Sequence, residues 1–76
     1  MFSIEWFASR SATEPVERTA YDGVLQRAAF VHAQSAFAAV KQKHPEVHGF
    51  RIIDEGGEEV ERWFAGDDYR QRQPQS

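Results

Sequence analysis

Cysteine is absent from all 76 residues, which excludes disulfides and most zinc sites together. No apolar run approaches the length of a membrane span. The start, Met1-Phe2-Ser3-Ile4-Glu5-Trp6-Phe7, lacks the basic region and long uncharged core of a signal peptide. A soluble cytoplasmic protein is therefore expected. There is no basic excess either: formal net charge is -3, which argues against non-specific nucleic-acid binding. The imbalance is local, because residues 1–43 carry five basic and four acidic residues, and the remainder four arginines against eight acids.

Glycine-rich phosphate cradles are missing as well. Gly56-Gly57 has no third glycine and no helix start after it, so it reads as a turn. No serine has a histidine and an acid arranged around it in a readable way. His44 and His48 have a metal-like spacing, but Pro45 breaks any helix that would carry both. With only His32 as a third imidazole, no metal and no cofactor are expected. The acids Asp54, Glu55, Glu58, Glu59 and Glu61 lack calcium-loop spacing. They read as charge that keeps strand edges from pairing with other molecules.

What is present is a generous supply of apolar and aromatic residues, 41% and 13% of the chain, so the chain is neither disordered nor fibrous. A domain this small buries only about 60% of the surface its unfolded chain exposes, and self-association is one way to compensate. Phe2-Ser3-Ile4-Glu5-Trp6 alternates apolar and polar, a strand with Phe2, Ile4 and Trp6 buried. Ser9 to Pro15 reads as a loop. Val16 to Tyr21 alternates as a second strand. Its alternative is a helical turn over residues 14–22, with Thr13 as cap and Pro15 in the first turn. Tyr21-Asp22-Gly23 looks like a turn with Asp22 as a fresh helix cap, which favours the strand.

From Val24 to Lys43 the pattern is helical, with Leu25, Ala29, Ala33, Ala36, Phe37 and Val40 on one face. Lys41 and Lys43 suit the negative end of the helix dipole, and Pro45 stops the helix. Val24, Ala28, Val31, Ser35 and Ala38 form a second stripe on the solvent side, a secondary candidate for helix packing.

Phe50 to Phe64 reads as a closing hairpin with two possible registers. A Gly56-Gly57 loop sets Arg51 against Arg62 and Ile52 against Glu61. A Glu55-Gly56-Gly57 loop sets Arg51 against Glu61 and puts Phe50, Ile52, Val60 and Phe64 on one face together with Arg62. The second replaces a like-charge pair, a gain of about 1 kcal/mol, and gives one coherent apolar face. It is the expected register, with Gly57 left-handed.

The expected fold is α+β: a four-stranded antiparallel sheet of order 2-1-3-4, built ββαββ, with one amphipathic helix on one face. The alternative is βαββ with residues 14–22 helical. Residues 1–66 are read as a single domain and 67–76 as a flexible polar tail. One helix cannot cover both faces of such a sheet. The other face is expected to carry Phe7, Tyr21, Arg51, Ile53 and Trp63, a mixture suited to an interaction surface. The functional expectation is a small non-enzymatic interaction protein, a homodimer or the binder of another protein through that face. The alternative is a single-stranded nucleic-acid binder stacking bases on the same aromatics. An enzyme ranks third, and its mark would be a deep pocket converging on His32, His44 or His48.

Overall fold

The computed structural model describes residues 1–65. Strand β1 (Phe2–Phe7), β2 (Glu17–Tyr21), helix α1 (Gln26–Lys43), β3 (Gly49–Ile53) and β4 (Glu59–Phe64) follow one another along the chain. The strands form one antiparallel sheet in the order β2-β1-β3-β4. This is the expected ββαββ layout, and Glu17–Tyr21 is strand rather than helix. The tail assigned to 67–76 lies outside the described residues.

Alternation in β1 does what period two dictates. Ile4 and Trp6 are buried on the helix side, with Phe2 half-buried beside them. Against them lie Ala29 and Ala33 of α1, both fully buried, and Ile52, Phe50 and Val47. The alanines let the helix backbone approach the sheet, while larger rings fill the flanks. Phe50 is the hub: its ring meets Trp6 at 5.4 Å, Phe30 at 5.6 Å and Trp63 at 5.6 Å. The Trp6 indole N–H, which would be costly to bury unpaired, donates to Thr19 Oγ1 at 3.1 Å.

The helix starts two residues later than the pattern predicts. Leu25 occupies the cap position in extended conformation and contributes no side-chain hydrogen bond, so Asp22 is not the cap. The turn serves Tyr21 instead: its ring lies so close to Gly23 that a Cβ there would meet it. At the other end the His44 N–H bonds to the Val40 carbonyl, and Lys41 Nζ donates to the Pro45 and Val47 carbonyls at 3.0 and 2.8 Å. A cation thus closes the negative end of the helix.

The closing hairpin combines both registers. At its tip the three-residue loop Glu55-Gly56-Gly57 is present, with Gly57 at φ 87° and the Asp54 N–H bonded to the Glu58 carbonyl. Asp54 Oδ1 accepts from the Gly56 and Glu58 N–H groups, both at 2.9 Å, an Asx turn that fixes the loop. Ile53 then faces Glu59, but Ile52 faces Glu61. Val60 is the extra residue of a β-bulge, which slips every later pair by one. Arg51 faces Arg62, Phe50 faces Trp63 and Gly49 faces Phe64, so the expected pairing of Arg51 with Glu61 is not formed. The slip brings Trp63 to the helix side and sends Phe64 to the other. Both rings are then covered, Trp63 half-buried against Phe50 and Phe37 and Phe64 fully buried on the opposite face. Burying rings of this size, worth about 2–3 kcal/mol each when complete, outweighs the like-charge pair. Glu59 reduces even that cost. It holds Arg62 with contacts of 2.6 and 3.0 Å and stands 3.6 Å from Arg51 Nε.

Candidate interaction surface

Residues opposed across an antiparallel sheet share a face, so the register fixes what the uncovered side presents. One row runs Phe7–Gly49–Phe64, the next Arg18–Glu5–Arg51–Arg62, and the third Ala20–Ser3–Ile53–Glu59. The middle row is a charge ladder. Arg18 Nε bonds to Glu5 at 2.9 Å, and Glu59 bridges Arg62 and Arg51. The hydrogen bond that Arg62 donates to Glu59, and then the charge of that carboxylate, hold the Arg62 guanidinium above its ordinary pKa.

The aromatic row is covered from within the chain. Phe7 is 1% and Phe64 0% exposed. The Arg51 guanidinium stacks on the Phe7 ring at 4.2 Å and donates to the Arg10 carbonyl at 3.0 Å. That bond draws the β1–β2 loop across the sheet and sets the Arg10 guanidinium 5.1 Å from the Phe64 ring. The covered side of Phe7 and Phe64 is therefore an arginine-capped satellite of the core.

The five residues read as one surface accordingly separate. Phe7, Arg51 and Ile53 do lie on the uncovered face, but Phe7 is buried there. Tyr21 faces Phe2 and packs on His32 at 5.1 Å, on the helix side. Trp63 packs on Phe37 at 5.2 Å, also on the helix side. The bulge displaces Trp63, and the β1–β2 register displaces Tyr21. What remains exposed on this face is an ion-paired polar layer of the kind an antiparallel sheet shows to water. A nucleic-acid reading of it would rest on the arginines alone, without rings for bases to stack on.

The histidines are held apart. His32 lies against Tyr21, His44 Nε2 contacts Glu17 Oε1 at 2.7 Å, and His48 is 6.3 Å from the Phe64 ring. Among the described residues no three His, Asp or Glu side chains come together as metal ligands. A shallow groove of about 430 Å³ lies between the start of β1 and the hairpin tip, lined by Met1, Phe2, Val24, Asp54, Glu55 and Gly56. It contains none of the histidines. No helix among the described residues is long and apolar enough to cross a membrane.

The apolar surface that is left open lies on and beside α1. Val24 is 82%, Leu25 66% and Val31 51% exposed. Val31 belongs to the outward stripe with Ala28, Ser35 and Ala38, on the side away from the buried Ala29 and Ala33. None of the helix's 18 residues is acidic, whereas Arg27, Lys41 and Lys43 are basic. A net -3 chain thus carries a helix of local charge +3. The sequence pattern already shows the small-residue stripe.

Compared with family models, with curated proteins and with solved structures, the chain matches none.

Proposed function

We propose that this is a small interaction protein that works by binding another protein rather than by catalysis, and that the outer face of α1 is its docking surface. The observation that supports this reading is the half-exposed Val31 on the outward side of a helix without a single acid, with Val24 and Leu25 exposed just before its first turn. Small residues at 28, 35 and 38 let a second helix approach closely. The basic flank selects the partner's sign, since charges bordering a helix seam set partner choice. The occupant is an acidic amphipathic helix of another protein. Two copies of α1 packed together would oppose cations with no acid to answer them.

The test uses a defined probe. A leucine-seamed helical peptide with glutamate flanks is titrated into the isotopically labelled protein and followed by NMR. Shift changes are expected at Ala28, Val31, Ser35 and Ala38, and Val31→Glu is expected to weaken binding about tenfold or more. Val31 is half exposed, so that variant should change stability by no more than about 0.5 kcal/mol. Equal binding of a lysine-flanked peptide, no binding at millimolar peptide, or indifference to Val31→Glu would each refute the reading.

A further inference from the structure

Among the described residues the sheet has two open edges, β2 and β4, and they differ in what an identical strand would meet there. An unpaired edge displays backbone N–H and C=O groups ready to bond another strand. When a strand pairs antiparallel with its own copy, opposed side chains lie on the same face, so the two-fold axis must pass through a residue.

For β4, centring the axis on Val60 sets Glu59 against Glu61. Centring it on Glu59, Glu61 or Arg62 sets that charge against itself. Centring on Trp63 leaves only three residues overlapping, and the bulge at Val60 bends the edge besides. Every long register of β4 is thus opposed by charge or by shape. For β2 the axis through Thr19 pairs all five residues: Thr19 with Thr19, Arg18 with Ala20 of the second copy, and Glu17 with Tyr21. No like charges meet. A Thr–Thr pair is among the favourable cross-strand pairs, and the register works whether Thr19's backbone groups point outward or inward. Shifting the axis to Arg18 opposes two arginines, and shifting it to Ala20 shortens the strand overlap.

We infer that β2 is a self-pairing edge, joining two copies through Thr19 into one eight-stranded antiparallel sheet. The axis is perpendicular to the sheet, so both α1 helices lie on the same side, each with its outer face free. This surface is independent of the helix face proposed above, and the pair could display two such faces at once. A five-residue edge is small beside the roughly 1,600 Å² of a standard interface, so the dimer is a weak one.

Ala20 is exposed at the edge and stands opposite Arg18 of the second copy twice in the dimer. Sedimentation equilibrium from micromolar to millimolar protein is the measurement. Ala20→Glu creates two cross-strand ion pairs and is expected to lower the dimer Kd about fivefold, and Ala20→Arg to raise it at least as much. A Thr19→Cys variant of this cysteine-free chain is expected to oxidise to a disulfide-linked dimer, since directly opposed Cα atoms lie within bridging distance, whereas Arg62→Cys on the other edge is not. The inference is overturned if wild type and Ala20→Glu both stay monomeric at millimolar concentration, if the two Ala20 variants shift association alike, or if Arg62→Cys cross-links as readily as Thr19→Cys.

Discussion

Trp63→Ala is expected to cost about 3 kcal/mol in a urea denaturation experiment, and Arg62→Ala less than about 1 kcal/mol. The two residues are adjacent, and the bulge at Val60 is what separates their fates. Trp63 faces Phe50 across the hairpin, stacked at 5.6 Å, and meets Phe37 of α1 edge-on. Removing the indole strips one flank of the core and leaves Phe37 without its partner. Arg62 lies on the water side, tied to Glu59 three residues back. Such partly exposed ion pairs are typically worth a few tenths of a kcal/mol. In the unbulged register Trp63 would leave the helix side for the Phe7–Gly49 row, and Arg62 would stand beside the helix. The bulge also has a cost. It brings Glu61 to the helix side, where Glu61 Oε1 and Trp63 Nε1 are buried without hydrogen-bond partners among the described residues. For that reason Trp63→Phe, which keeps most of the ring and drops the unpaired N–H, should retain most of the stability that Trp63→Ala loses.

Gly49→Ala should be nearly as damaging, at about 3 kcal/mol, although it adds a single methyl group. Gly49 sits between Phe7 and Phe64 in the aromatic row of the sheet. A Cβ there would fall on the Phe64 ring and on the Trp63 carbonyl oxygen. Backbone cannot swing away as the end of a long side chain can, so the strands must part or Phe64 must leave. If Phe64 leaves, Arg10 loses the ring it covers. The constraint is steric rather than conformational, because Gly57 alone among the described glycines has a positive φ. Against a total stability of about 4–11 kcal/mol for a chain this long, either substitution removes a large share. Equilibrium unfolding followed by circular dichroism measures both.

Much of this architecture is legible in the residues, for reasons that differ by element. The alternation of Phe2, Ile4 and Trp6 and the helical spacing of Ala29, Ala33, Phe37 and Val40 each belong to one period only. The ββαββ order follows from them, with the apolar β1 inside and the charged β2 at an edge. Gly57 announces the tip of the hairpin. The bulge is hidden because the choice of register weighs Arg51 against Arg62 as an isolated pair. Glu59 stands two residues from Glu61, the Arg51 partner of the expected register, and only in three dimensions does it meet both arginines. The face that Tyr21 occupies is not legible, because nothing in Ser9–Pro15 specifies how β2 pairs with β1. The same loop is polar in composition, which conceals its use as a lid: its backbone carbonyls, at Arg10 and Ala12, bind Arg51. The small-residue stripe on α1 is legible from its helical spacing, whereas the cover over the aromatic row of the sheet is not.

The placement of Trp63 decides between the two surfaces, and a nuclear Overhauser spectrum reads it directly. Cross-peaks from the Trp63 indole to the Phe37 ring, together with Arg51 Hα to Arg62 Hα contacts across the hairpin, are the predicted result. Cross-peaks from that indole to Phe7 or to the Arg51 side chain, with Arg51 Hα opposite Glu61, would return the rings to the open sheet face and contradict the account.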